Sequence, residues 1–254
     1  MSGKRTARQR FPEVIAAAVR VFTQEGYRAA RMSDVARVAG LSEAALYRYV
    51  ESKEGLFVLA IRHALLLEDM PAESADGADG ADEADDPSGR FPLKPPPLAE
   101  MIGEAREFVA AEVPFGSLAT ALGGPVPADP AAELETVMRE LFILEAQTRE
   151  AADMIERSAR ELPELADLMN SGLRRPVLAA LTDYLDTRAS SGALRATPDS
   201  AATARLVLET LTWFARHRYL DPYGAAIPDS LAADTAVDAL IHALVPPHFL
   251  GGRP

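Results

Sequence analysis

The chain has 254 residues, with 26 basic against 38 acidic side chains for a net charge of −12, and 48% of it is hydrophobic. That length holds a small domain plus a larger one with its own core, while the lack of cysteine excludes disulfides and thiolate metal sites. No cationic leader with a long apolar run opens the chain and no stretch reaches the roughly 18 apolar residues of a membrane span, so the reading is a soluble cytoplasmic protein.

The negative total hides an uneven distribution. Residues 1–55 carry ten Lys or Arg against six Asp or Glu, a net of +4 that leaves −16 for the rest. One end is built to meet phosphates and the other is not. Lys4, Arg5, Arg8 and Arg10 form a basic arm ahead of the first helix, suited to a nucleic-acid backbone or minor groove, or simply solvated. Residues 12–25 then open with Pro12 in a first turn, carry Val14, Ile15, Ala18, Val19 and Phe22 on one face, and stop at Gly26.

Residues 26–57, GYRAARMSDVARVAGLSEAALYRYVESKEGLF, predict two short helices joined by a tight turn and followed by a third helix start. This is a helix-turn-helix layout. Small and apolar residues (Val35, Ala36, Ala39, Leu41, Ala45, Leu46) let two helices cross closely, Gly40 supplies the positive φ of the turn, and Ser42 stands at the N-cap of the second helix. With Leu46 inward, Ala44 and Arg48 lie nearly opposite it and Tyr47 flanks the outward face. Tyr47 and Tyr49 beside Arg48 and Lys53 read as nucleic-acid contacts in preference to half-buried aromatics. For Arg48 a bidentate guanine contact stands level with a phosphate or solvent role, and Glu43 reads first as compensation of the helix dipole.

The wording GLSEAALYRYVESKEGLF, with FPEVIAAAVRVFTQEGY upstream, resembles the tetracycline-repressor (TetR) family of bacterial regulators over about residues 11–57. The resemblance implies that Glu43, Ala44, Ala45 and Arg48 face base edges or nearby backbone, that Tyr47, Tyr49 and Lys53 touch DNA, and that the helix start at Arg31 and Ser33 reaches phosphates. Ser42 is counted with these DNA-side residues. The family's Ser or Thr cap corresponds to Arg31, which has no acceptor for a backbone N–H, so this helix lacks a good cap. Ala44 stands where the family often has a small residue, and Val50-Glu51 replaces the usual Phe-Pro; these departures bear on the operator sequence and not on the fold.

Residues 53–70 (Leu56, Phe57, Ala60, Ile61, Ala64, Leu65) predict a strongly apolar helix linking the DNA domain to the remainder. Residues 71–97, rich in Asp, Ala, Gly and Pro, predict a disordered acidic insertion, with an inert role preferred to electrostatic competition with DNA. Helical spacing resumes from Leu98 to Pro114, then after GGPVPADP over 131–160, over 163–188 with a kink at Pro176, over 199–216, and over 230–245 before Pro246-Pro247. The family resemblance implies an all-helical C-terminal domain that pairs subunits through its last two helices and encloses a small-molecule pocket. The helices at 199–216 and 230–245 are apolar on more than one side, which agrees with homodimerisation. Phe108, Met138, Phe142, Met169, Tyr184 and Trp213, with Glu145 and His217 as polar partners, are the ligand-binding candidates, against the plainer reading that they are core. For Glu145 the plainer reading is an internal salt bridge.

Nucleotide-binding glycine loops, nucleophile elbows and zinc-site spacings are absent from the sequence, so no catalysis, metal or cofactor is expected. The expectation is an all-α protein with a helix-turn-helix DNA-binding domain at 1–52 and a ligand-binding and dimerisation domain at 53–250. Its partners are a double-stranded DNA operator, a small mainly apolar effector that releases it as a repressor, and a second copy of itself. The alternative is a small-molecule sensor whose degenerate helix-turn-helix no longer binds DNA.

Overall fold

The computed structural model describes residues 7–65, 91–112 and 116–251. Among these residues there is no strand, and the architecture is helical from end to end. Helix α1 (Ala7–Ala29) forms because Phe11, Val14, Ile15, Ala18, Val19 and Phe22 recur at helical spacing, and all six are at most 4% exposed. Burying each large member of that stripe is worth about 1.5–3 kcal/mol. The helix starts upstream of Pro12, so Ala7–Arg10 are helical instead of forming a free arm, and Lys4 and Arg5 lie outside the described residues. Gly26, at φ 78 and ψ 172, interrupts α1 and sets off a last short turn.

Helices α2 (Met32–Val38) and α3 (Glu43–Leu46) follow, joined through Gly40 at φ 66. Helix α4 (Lys53–Ala64) buries Leu56, Phe57, Val58, Ala60 and Ile61, with Phe57 edge-on to Phe22 at 5.0 Å. Of the expected helix at 53–70, residues 66–70 lie outside the described residues, as do 71–90 of the acidic stretch.

Residues 91–97 are not the disordered tail of that insertion. Phe91 packs against Phe11 (5.3 Å) and Tyr49 (5.4 Å), the Leu93 N–H donates to the Tyr49 carbonyl at 2.8 Å, and Val50 and Leu93 form an isolated parallel bridge. One aromatic and one leucine among prolines are enough to dock the segment. Helix α5 (Leu98–Glu112) then begins with its first N–H, that of Leu98, donating to the Glu54 carboxylate at 3.1 Å.

Helix α6 (Gly116–Gly123), unforeseen in the sequence, is held where the Ser117 N–H and hydroxyl both donate to Glu140. Helix α7 (Pro130–Gln147) is capped by Asp129, which accepts from the Ala132 N–H at 2.9 Å. The expected single helix over 131–160 is broken at Thr148, after which α8 (Arg149–Ala159) starts. The helix expected over 163–188 is three pieces: α9 (Pro163–Asp167), a π-helical segment Leu168–Arg174, and α10 (Arg175–Ser190). Pro176 has no N–H and its ring crowds the carbonyl four residues back, so the ladder widens into the π segment ahead of it. Helices α11 (Ser200–Ala215) and α12 (Asp229–Leu244) match the two expected C-terminal helices.

Two compact units result: Met1–Ala105 with Glu150–Met169, and Arg106–Arg149 with Asn170–Pro254. Helix α4 packs on α1 in the first unit instead of opening the second. The core of the second unit joins Leu134, Val137 and Leu141 of α7, Leu181 and Leu185 of α10, Leu208 and Leu211 of α11, and Leu240 and Ile241 of α12. Beside it Arg188, only 2% exposed, donates twice to Glu133 (2.7 and 2.9 Å) and once to the Ala121 carbonyl, while the Tyr184 hydroxyl donates to Glu133 at 3.1 Å. A buried guanidinium costs little only when its donors are satisfied in this way.

Candidate nucleic-acid interface

The helix-turn-helix is built from α2, the Gly40 turn and α3. The Leu41 N–H closes the turn on the Ala36 carbonyl at 2.8 Å, and the Ser42 hydroxyl accepts from the Ala45 N–H at 3.1 Å, satisfying one of the donors that a helix start leaves open. Leu46, fully buried, pins α3 to the core, which turns Glu43, Ala44, Tyr47 and Arg48 outward; Tyr47 is 43% exposed. Ala45 is half-buried. At the start of α2, Arg31 and Ser33 are both exposed, and Arg31 occupies the N-cap position with extended backbone and no side-chain cap. A helix start without a side-chain cap and with an exposed cation beside it suits a phosphate.

Two of the predicted contacts have a different place. Tyr49 is buried at 5% exposure, its ring clustered with those of Phe11 (6.4 Å) and Phe91 (5.4 Å), so it supports the turn from behind instead of reaching outward. Sequence spacing put it beside Arg48, but its environment comes from a segment more than forty residues away. Lys53 donates from Nζ to the carbonyls of Arg28 (3.1 Å) and Ala30 (2.8 Å) and sits over the Tyr27 ring at 4.7 Å. It closes the C-terminal end of α1. Burial pushes its pKa down, and the Glu161 carboxylate partly offsets that.

The described ligand candidates have different settings. Met138, Phe142 and Tyr184 are at most 4% exposed within the second unit's core, whereas Trp213 is 39% exposed. Met169 belongs to the first unit, and the Phe108 side chain lies outside the described residues. Glu145 pairs with Arg216 at 3.5 Å, the salt bridge of its plainer reading, and His217 opens a short 3-10 turn just after α11. Apolar residues at helical spacing fill a core by default, and their size alone does not mark a ligand. The open groove of about 530 Å³ in the second unit is instead lined by Asn170, Arg174, Arg175, Leu178, Ala179, Thr182, Ala201 and Arg205. Two of its arginines, Arg174 (3.3 Å) and Arg205 (2.8 Å), pair with Glu209. Sequence reasoning missed this groove because its lining comes from the π segment and the starts of two helices.

The fold and this geometry define a helix-turn-helix domain carried by an all-α chain. Residues 14–60 match the model for bacterial regulatory proteins of the tetR family. Its fold is similar to that of AibR in complex with isovaleryl coenzyme A and operator DNA, at 17% identity over 91% of this chain and 98% of that one, with a TM-score of 0.52. It is likewise similar to the SmeT–triclosan complex, at 15% identity over 97% of each chain and a TM-score of 0.50; SmeT comes from Stenotrophomonas maltophilia. No curated relative matches the chain. No helix of the described residues is long and apolar enough to cross a membrane.

Proposed function

We propose that the protein is a DNA-binding transcriptional regulator, a homodimeric repressor that leaves a partly palindromic operator when a small, mainly apolar ligand binds. The observation that carries this reading is the exposed set Arg31, Ser33, Glu43, Ala44, Tyr47 and Arg48 on and beside two short helices, joined through Gly40, of which α3 is capped by Ser42 and pinned by the buried Leu46. Such a domain has the shape of a major-groove reader, with Arg48 and Ala44 toward bases and Arg31 and Ser33 toward phosphates. Lys53 and Ser42 contribute by holding backbone in place. In functional terms residues 1–52 read DNA and 53–250 bind ligand and pair subunits.

Dimerisation through α11 and α12 is supported by apolar side chains that a single copy leaves in water: Leu206 (62% exposed) and Trp213 on α11, and Leu231 (55%) on α12. Effector release is supported by the helical second unit and by the similarity in fold to AibR bound to isovaleryl coenzyme A and to SmeT bound to triclosan. Selecting bound sequences from a random duplex pool, then titrating the best one at increasing salt, tests the reading. A dimer-sized complex on a two-fold related site, weakening steeply with salt, is expected. A chain that enriches no sequence and binds only small molecules would instead be a sensor with a silent helix-turn-helix, the reading that the uncapped Arg31 start favours.

A further inference from the structure

The short turn between the break in α1 and the start of α2 is clamped by side chains from two other parts of the chain, the start of α4 and the end of α8. Gly26, at φ 78 and ψ 172, has a backbone conformation essentially restricted to glycine, and a Cβ there would meet Arg157 Cγ at 3.3 Å. The interruption leaves the next N–H groups without carbonyl partners four residues back. Two of them are satisfied from the end of α8. The Tyr27 N–H donates to the Ser158 hydroxyl at 3.1 Å, and the Arg28 N–H donates to the Glu161 carboxylate at 2.9 Å. On the other side of the turn, Lys53 takes up the Arg28 and Ala30 carbonyls. Ser158 is fully buried, so no water substitutes for the bond it makes. Ser158 and Glu161 have the S-x-x-E spacing of a capping box, but here the pair caps a distant turn instead of its own helix.

We infer that Ser158 and Glu161 are positioning residues for DNA reading: they cap the Tyr27–Ala30 turn from α8 and thereby fix where Arg31 and Ser33 of α2 stand. This inference rests on the proposed DNA-binding function. It assigns a role in DNA binding to residues that lie, by sequence, deep in the region read as the ligand domain. The Arg28 N–H needs only an acceptor, so an amide oxygen can replace the carboxylate in that bond, while the charge that Glu161 presents to Lys53 is a separate and solvent-screened contribution.

The test uses the full-length protein and a duplex enriched by it from a random pool. Operator affinity, dimer state, melting temperature and amide hydrogen exchange at Tyr27 and Arg28 are measured for the wild type, Ser158→Ala, Glu161→Ala and Glu161→Gln. Each alanine variant is expected to lose about 3- to 10-fold in operator affinity, the range a single lost hydrogen bond allows, with faster exchange at the amide it uncaps and an unchanged dimer. Glu161→Gln is expected to restore both affinity and exchange, which a general loss of stability would not do. Wild-type operator affinity in both alanine variants, alongside faster exchange at Tyr27 and Arg28, would overturn the inference while leaving the regulator reading intact. A wild-type chain that enriches no duplex at all would overturn the regulator reading and this inference with it.

Discussion

Arg48 and Tyr49 are neighbours in sequence with opposite fates, and the contrast decides which substitutions should report on DNA and which on folding. Arg48 is exposed on the outward side of the reading turn, whereas Tyr49 is buried against Phe11 and Phe91. Arg48→Ala should leave the melting temperature nearly unchanged and relax preference at one base position, by about 1–3 kcal/mol if the guanidinium is bidentate to guanine. A binding profile over single-base variants of the selected site checks this, and an unaltered profile would assign Arg48 to phosphate or solvent. Tyr184 offers a second residue-level test. Burial, and after it the Glu133 carboxylate, raise its pKa above the ordinary 10.0. Below about pH 10 the phenol is protonated in both folded and unfolded chains and contributes no pH dependence. Above that value the unfolded chain releases the proton while the folded chain keeps it, so stability falls as pH rises toward the folded pKa. Denaturant unfolding between pH 9 and 11 should show a shallower decline in Tyr184→Phe than in the wild type.

Helix α2 begins without a side-chain cap, and this weakness is legible from Arg31 alone. Arg31→Thr should supply the missing acceptor and stabilise the first unit by about 0.5–2 kcal/mol, while removing a cation from the DNA side and weakening operator binding. Parallel melting and salt-dependent titrations would show the two effects with opposite sign; a loss in both would mean that Arg31 is held by packing instead. The segment 91–97 is an element of a different kind, docked by a few contacts on the back of the reading turn. Phe91→Ala removes the ring that covers Phe11 and Tyr49 and should destabilise the first unit, by less than the about 3–5 kcal/mol of deleting a fully buried aromatic because Phe91 is only half-buried. Thermal unfolding followed by tyrosine fluorescence would register it. An unchanged transition would show that Leu93 and the Lys94–Glu51 pair suffice to hold the segment.

At the scale of the whole molecule, the proposed repressor couples two equilibria, DNA binding and effector binding. An effector can lower operator affinity only by preferring a conformation in which two reading helices no longer match successive major grooves, roughly 34 Å apart. The coupling should be of order 1–3 kcal/mol, and operator DNA must then weaken effector binding by the same factor. Compounds found by thermal shift, titrated with and without operator, check the reciprocity, and a compound with equal affinity in both cases is no inducer. The charge distribution makes a further demand on this scale. With +4 in the first 55 residues and −16 in the rest, DNA held by one end meets repulsion from the other, so affinity should be concentrated in the reading domain.

The sequence by itself was sufficient for the helix-turn-helix, the all-α class and the two C-terminal helices, because their signals are local: apolar residues at helical spacing, Gly40 at the turn, Ser42 at a cap, and prolines beside helix ends. It also allowed Glu145 its salt bridge, since an acid in an apolar stretch must find a partner. Only the tertiary structure decided what depended on distant segments. Tyr49 is buried because Phe91 returns across it, and Lys53 is engaged because α1 ends beneath it. The turn after Gly26 is capped by Ser158 and Glu161, more than 130 residues further on. Periodicity states which residues face inward, but not which distant group they will meet there. For the same reason the bulky residues at 138, 142 and 184 became core, while the groove opened beside the arginines at 174, 175 and 205. A cavity is the space that packing leaves unfilled, and that is settled only when separate helices come together.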